Sequence, residues 1–194
     1  ALAGFTACEI GSHFPSDADE LKKALDLRGM TIASRWFSSY LLTLPYEEVE
    51  ADFRRNIEFL KKVGARRINV SEQSYGTQGK LDQPILEGKY VMNNEEWDRF
   101  TDGLNKLGKV ALEYDFKLCF HHHMGTVVQT SAETDRMMEM TDPRYVFLCF
   151  DTGHFTFAGE DPVAMLKKYV KRVGHVHLKD MRMEVVEQSR KNRW

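Results

Sequence analysis

Three stretches of the chain, FKLCFHHHMGT (Phe116–Thr126), YVFLCFDTGH (Tyr145–His154) and RVGHVHLKD (Arg172–Asp180), share one pattern. Each is a short apolar run that ends in histidine, aspartate or lysine. Such runs, rich in β-branched and aromatic residues and separated by helix-like segments, are typical of buried parallel strands in successive β-α units. Because parallel strands point the same way, we expect the polar clusters to meet at one edge of the sheet, where α/β proteins carry their chemistry.

The rest of the chain repeats this alternation. Further strand-like runs cover Phe5–Ile10, Met30–Phe37 and Arg66–Ser71. Amphipathic spacing predicts helices from Ser16 to Leu27, from Tyr46 to Val63, from Asn94 to Tyr114, from Ser131 to a point before Pro143, and from Asp161 to Tyr169. The long loop from Ser74 to Asn94 is typical of a lid or binding segment. Six strands alternating with helices predict a parallel sheet, open or closed into a barrel. A barrel is favoured because no strand is followed by a GxGxxG or GxxxxGK motif.

The composition is that of a single globular domain, which we assign to residues 1–194. Hydrophobic residues make up 42% and charged residues 29% of the chain, which argues against disorder and against a membrane protein. The 27 basic and 29 acidic residues leave a net charge of −2, so nothing predicts attraction to nucleic acid or to a membrane. Cys8, Cys119 and Cys149 lie in apolar runs without CxxC spacing, which predicts reduced, buried thiols in a cytoplasmic protein.

The polar clusters contain the ligands that a transition metal prefers. His121 and His123 are two residues apart on a strand, so their side chains face the same way. Asp151 and His177, with one of these histidines, form a nitrogen and oxygen set suited to a zinc, manganese, cobalt or iron ion, and Glu72 offers another carboxylate. A lone buried histidine is usually a core residue, but such residues at the ends of three consecutive strands favour a site.

These segments resemble the xylose-isomerase-like TIM-barrel superfamily of sugar isomerases and epimerases. The resemblance is carried by HHHMGTVVQT (His121–Thr130), DTGHFTFAGEDP (Asp151–Pro162) and HVHLKDMR (His175–Arg182), and it extends through SRWFSSYLL (Ser34–Leu42), SEQSYGTQG (Ser71–Gly79) and GFTACEIG (Gly4–Gly11). Within the superfamily, HHHMGT and SRWFS are most similar to the inosose dehydratase family of inositol catabolism. The resemblance implies an α/β fold, a TIM-type (β/α) barrel that is incomplete here because its first and last strands are missing.

The resemblance also implies a Glu-Asp-His-Glu cage around one divalent ion. Asp151 and His177 match the middle ligands, the first glutamate falls near His121, and the last belongs to the missing strand. We therefore assign Asp151, His177 and His123 as metal ligands, His121, Glu72, His154 and Lys179 as catalytic groups, and Arg182 and Trp36 as substrate contacts. Which of His121, His123 and Glu72 replaces the first glutamate stays open, and Glu9 is a candidate pocket carboxylate or partner of a ligand.

The activity implied is that of a metal-dependent carbon–oxygen lyase, which removes water from the polyol ketone 2-keto-myo-inositol through an enolate. Manganese or cobalt is the expected ion, zinc is the alternative, and the resemblance suggests glutathione as a further cofactor. Two alternatives stay open: a ketose isomerase or epimerase of the same superfamily, and a catalytically inactive truncated barrel. Unpaired strands at the ends of an open barrel would favour association into a homo-oligomer.

Overall fold

The computed structural model describes residues 2–80 and 82–193, and it confirms the α/β architecture. The strands are β1 (Ala7–Ile10), β2 (Thr31–Ser39), β3 (Arg67–Glu72), β4 (Lys117–His121), β5 (Val146–Asp151) and β6 (Val173–His177). The helices are α1 (Ala18–Asp26), α2 (Tyr46–Lys62), α3 (Asn94–Glu113), α4 (Ser131–Met140), α5 (Thr152–Ala158), α6 (Pro162–Tyr169) and α7 (Met183–Asn192), and a 3-10 turn spans Val170–Arg172.

All six strands pair in parallel, in the order in which they occur in the chain, from β1 to β6. An open doubly wound sheet reverses its strand order at a switch point, whereas a barrel adds each strand beside the preceding one. Six consecutive strands with helical connections therefore form an incomplete TIM-type barrel, as the sequence predicted. No helix within residues 2–80 and 82–193 combines the length and the apolar character that crossing a membrane requires.

Alternating side chains give the sheet an apolar outer face and a polar inner face. On the outer face, Phe37 packs edge-on against Phe53 of α2, with ring centroids 5.2 Å apart. Phe120 makes the same contact with Phe100 of α3 at 5.5 Å. All four rings are almost completely buried, so the layer between sheet and helices is the hydrophobic core and contributes most of the driving force for folding.

The polar inner face is curved, so that the last strand approaches the first and the third. The Nε of Arg67 on β3 donates a hydrogen bond of 2.8 Å to the carbonyl oxygen of Gly174 on β6. A Cβ atom at position 174 would lie 2.6 Å from the Cys119 sulfur and 2.8 Å from Cβ of Phe147. Only glycine therefore allows β6 to pack this closely over its neighbours.

Two predicted helix starts are displaced, and helix α5 was not predicted. Asp17, not Ser16, caps α1, and Asn93, not Asn94, caps α3. Helix α5 begins directly after β5, in a segment for which we predicted no helix.

The predicted loop between β3 and α3 packs over the segment that follows β4. The Thr77 amide donates a hydrogen bond of 2.8 Å to the Gly125 carbonyl. Lys89, whose side chain is 8% exposed, forms an ion pair with Glu133. These contacts fix the loop beside the carboxyl ends of the strands, where a lid or binding segment is expected.

Candidate metal centre

Asp151, the last residue of β5, lies at the centre of the polar cluster and is fully buried. Its Oδ1 accepts a hydrogen bond of 3.0 Å from the His154 amide, which caps α5. Its Oδ2 lies 3.1 Å from Nε2 of His121 and 3.3 Å from Nδ1 of His177, and it also contacts the Lys179 ammonium. One carboxylate therefore joins groups from the ends of β4, β5 and β6, as the parallel topology predicts.

The protonation states of this cluster follow from burial and hydrogen bonding. Burial alone would raise the pKa of Asp151, but hydrogen bonds from His121, His177 and Lys179 outweigh it and hold the pKa well below its usual range. Hydrogen bonds with Asp151, Cys149 and Glu9 raise the pKa of His177 to about 11. Burial lowers the pKa of His121 to about 4. At neutral pH Asp151 is an anion, His177 a cation and His121 neutral.

A second layer of aromatic groups forms a wall beside Asp151. Trp36 on β2 presents its ring edge-on to His121 and His123, with centroids 5.4 Å away in both cases. The rings of His123 and His154 lie 3.8 Å apart. Burial, together with the neighbouring His123, lowers the pKa of His154 to about 2. Trp36, His123 and His154 therefore present neutral, partly apolar surfaces to the space in front of Asp151.

The donor set fits a divalent metal ion. His121 Nε2, His177 Nδ1 and Asp151 Oδ2 are two imidazole nitrogens and one carboxylate oxygen, the ligands that zinc, manganese, cobalt and iron share. Three protein ligands leave coordination positions open for substrate, as in catalytic sites. Binding would displace the Nδ1 proton of His177, because a ligating imidazole nitrogen must carry a lone pair.

The structure places His121, and not His123, beside Asp151. His121, predicted as a catalytic group, is the histidine that contacts Asp151. His123, predicted as a ligand, uses its Nδ1 to donate a hydrogen bond of 2.9 Å to the Met124 carbonyl. The reason is that His121 is the last residue of β4, whereas the chain has turned away from the sheet at His123.

Glu72 lies apart from this cluster, on the outer face of the sheet. Its Oε2 accepts hydrogen bonds of 2.7 Å from the Ser39 hydroxyl and 3.0 Å from the Leu41 amide, and its Oε1 accepts both the amide and the hydroxyl of Ser74. Burial raises the pKa of this carboxyl group. In the described residues its contacts hold the ends of β2 and β3 together, and none of them reaches Asp151.

The two remaining predicted residues, Lys179 and Arg182, follow β6. Lys179, 46% exposed, contacts Asp151, and its Nζ lies 3.3 Å from Nε2 of His154. Arg182 is exposed at the start of α7 and lines a cleft with Phe157. Sequence reasoning missed Cys149, whose sulfur lies 3.9 Å from Nδ1 of His177. Its position two residues before Asp151 on β5 places it on the same face, which is the signal that would have found it.

Comparisons with known proteins agree with this fold. The family model for the xylose isomerase-like TIM barrel matches residues 1–193. An inosose dehydratase of Clostridium beijerinckii is 53% identical over 193 residues, which cover 100% of this chain and 65% of that relative. The chain therefore spans 65% of the length of this curated relative.

Solved structures with the same fold are far more distant in sequence. The probable 3-DHS dehydratase AsbF of Bacillus anthracis has a TM-score of 0.69 at 16% identity, over 92% of this chain and 64% of that chain. The IolI protein, solved with a bound zinc atom, has a TM-score of 0.70 at 16% identity, again over 92% of this chain and 64% of that chain. At this identity the likeness concerns the fold.

Proposed function

Because the chain belongs to the xylose isomerase-like TIM-barrel family, we propose that it carries the metal site of a hydro-lyase that dehydrates 2-keto-myo-inositol. The observation that carries the proposal is the convergence of His121 and His177 on one buried carboxylate oxygen, Oδ2 of Asp151. The 53% identity to an inosose dehydratase supports the choice of substrate class. A cytoplasmic location fits the free cysteines, two of which are buried and one partly buried.

We assign His121, Asp151 and His177 as the ligands of a divalent ion, manganese or cobalt, with zinc as the alternative. A bound ion would act as a Lewis acid on the ketone oxygen of the substrate, which acidifies the neighbouring C–H bond. The two ligand histidines would bind the ion through the nitrogens that face Asp151. The substrate would then approach the ion from the side lined by Trp36 and His123. The substrate ring would lie there, with the guanidinium of Arg182 as a further contact.

Lys179 and His123 suit proton transfer, and His154 suits substrate binding. His154 is neutral at pH 7 because burial lowers its pKa to about 2, and it would hold the substrate hydroxyls by hydrogen bonds. The Lys179 ammonium, close to both His154 and Asp151, is placed to donate a proton to the departing β-hydroxyl group. His123 is the neutral base nearest to this pair, with its ring 3.8 Å from that of His154. Glutathione stays a prediction, since no contact among the described residues supports it.

The test combines metal content with turnover. The purified chain should hold about one manganese, cobalt or zinc ion, measured by inductively coupled plasma mass spectrometry, and should form an enone from 2-keto-myo-inositol, followed by ultraviolet absorbance. Asp151→Asn should lower metal affinity and turnover by ~100-fold or more, because it removes a ligand and leaves His177 without its partner.

Asp98→Asn, on the exposed face of α3, is the control for the loss of one charge and should behave like the parent. Metal binding without enone, together with proton exchange or epimerisation of a ketose, would favour an isomerase. A folded chain with neither metal nor turnover would mean that these 194 residues are not an enzyme by themselves.

A further inference from the structure

A second carboxylate, Glu9 on β1, lies on the far side of His177 from Asp151. Three donors from two other strands converge on its Oε1: Nε2 of His175 at 2.6 Å, Nε2 of His177 at 2.8 Å and Nδ2 of Asn69 at 2.8 Å. A carboxylate can only accept hydrogen bonds when ionised, so each of these nitrogens must carry a proton. The Nε2 atoms of both histidines are therefore protonated.

This arrangement fixes which nitrogen of His177 faces the metal site. An imidazole whose Nε2 is protonated can offer a lone pair only from Nδ1, and Nδ1 is the atom 3.3 Å from Asp151 Oδ2. Carboxylates that accept the second N–H of a ligating histidine fix its tautomer and its ring orientation in metalloproteins. We propose that Glu9 is a positioning residue that holds His177 with Nδ1 directed at the metal. The proposal rests on the metal site described under the proposed function.

His175 and Asn69 explain why Glu9 itself stays in place. His175 lies two residues before His177 on β6, and the two rings meet edge-on with centroids 5.3 Å apart. Asn69 on β3 is 1% exposed and donates to the same oxygen from the opposite side of the curved sheet. With three N–H groups at hydrogen-bond distance, Oε1 has its accepting capacity filled, so this oxygen orients a ligand and does not serve as one.

The hydrogen bonds explain why this position needs a carboxylate and why an amide would not be equivalent. Three convergent donors need an acceptor with several lone pairs, and an ionised acceptor makes each bond shorter and stronger. Glutamine in its place would keep one oxygen for these donors but would lose the negative charge, so each of the three hydrogen bonds would weaken. His177 would then be held less firmly in this orientation, while the charge of Asp151 would be unchanged.

The experiment compares Glu9→Gln with the parent chain by isothermal titration calorimetry with Co²⁺. We expect the Kd to rise by about 10- to 100-fold, the range for loss of a partner of a ligating histidine. Glu47→Gln, which removes an equal charge from the exposed start of α2, should leave the Kd within about threefold of the parent. Glu9→Asp, which keeps the charge but shortens the side chain, is the second variant should Glu9→Gln fail to fold.

A second readout needs no metal. In the metal-free chain labelled with ¹⁵N in histidine, the Nε2–H protons of His175 and His177 should give low-field NMR signals that Glu9→Gln or Glu9→Asp removes or shifts. An unchanged Kd, retained N–H signals, or the loss of a second bound Co²⁺ in Glu9→Gln would each overturn the proposal. A parent that binds no Co²⁺ refutes the metal site, and the N–H signals of the metal-free chain then decide the role of Glu9 alone.

Discussion

His122 lies between two residues of the site, yet its side chain faces the opposite side of β4. Its ring stacks on that of Phe155 with centroids 3.8 Å apart, and it is completely buried. Neither ring nitrogen has a hydrogen-bond partner among the described residues. Burial lowers the pKa of His122 to about 3, so the folded chain holds it as a neutral, unsatisfied group.

This histidine should make the chain sensitive to acid. The unfolded chain binds a proton at His122 as the pH falls below 6.5, the ordinary pKa of histidine, whereas the folded chain does so only near pH 3. Stability should therefore fall between these pH values by about 1.4 kcal/mol per pH unit for this group. His122→Phe should remove the contribution of this one proton to the pH dependence of stability. Because it also removes an unsatisfied polar group, it should raise the free energy of unfolding by about 1–2 kcal/mol at pH 7.

The measurement is urea unfolding of the metal-free chain at a series of pH values from 7 to 4. His121 is also buried, with its pKa lowered to about 4, so part of the slope should survive in His122→Phe. Replacement of the exposed His13 by glutamine is the control and should leave the slope as in the parent. A slope that His122→Phe does not change would show that His122 is protonated in the folded chain.

At the scale of single elements, the strands were predictable and the short helix α5 was not. Apolar runs with β-branched and aromatic residues place each strand within about two residues, because burial on both faces needs such runs. Helix α5 has seven residues, including Gly153 and two phenylalanines, and so has low intrinsic propensity. It forms because Asp151 caps it and because Phe155 is buried. A Cβ at Gly153 would lie 2.6 Å from Cβ of Lys179, a tertiary contact that the sequence does not reveal.

The residue types of the site were predictable, but their division of labour depends on geometry. Spacing and the chain's parallel strands bring His121, Asp151 and His177 together. His121, and not His123, contacts Asp151 because β4 ends at His121. The end of a strand or helix is its least predictable property. Glu72 could have been placed by parity, since Arg67 and Asn69 face the interior and a residue at an odd distance from them faces outward.

Glu72 should act on stability and not on metal binding. Both of its carboxylate oxygens accept hydrogen bonds from Ser39, Leu41 or Ser74, so the NH2 group of Glu72→Gln must face a donor on one side. We expect the free energy of unfolding to fall by about 1–3 kcal/mol, the cost of leaving a buried donor unpaired. Chemical denaturation measures this loss, and calorimetry should show a Co²⁺ Kd within about threefold of the parent.

Ser74→Ala is the matched variant, because it removes one hydroxyl donor and leaves both oxygens of Glu72 with partners. Its loss of stability should be smaller than that of Glu72→Gln. Unchanged stability in Glu72→Gln, combined with loss of turnover, would instead support the catalytic role predicted from the sequence.

At the scale of the whole molecule, the site depends on how strongly the sheet curves. Glu9 of β1 can reach His177 of β6 only because β6 folds over the inner face, where Arg67 binds the carbonyl of Gly174. The same curvature brings Gly174 against Cys119 of β4 and Phe147 of β5. Strand packing and the geometry of the proposed metal site thus depend on one close approach, and a change at Gly174 should disturb both.

Gly174→Ala tests this coupling. The added methyl group would lie 2.6 Å from the Cys119 sulfur and 2.8 Å from Cβ of Phe147, so β6 must move outward. We expect a loss of about 1–3 kcal/mol in the free energy of unfolding, as for other overpacked cores. Because His175 and His177 would move away from Glu9, the Co²⁺ Kd should rise as well, although residue 174 contacts no ligand atom. Denaturant unfolding and calorimetry measure the two effects.

A double-mutant cycle with Cys119→Ala separates the close contact from a general intolerance of alanine. Cys119 is fully buried, so its own truncation should cost stability through the cavity that it leaves. In the double variant the methyl group at position 174 would occupy part of that space. The loss of stability in the double variant should therefore be smaller than the sum of the two single losses by about 0.5 kcal/mol or more. The contact with Phe147 remains, so recovery should be partial for stability and for the Co²⁺ Kd alike. Strictly additive losses, or a Kd that Gly174→Ala leaves unchanged, would mean that the position of β6 does not depend on this contact.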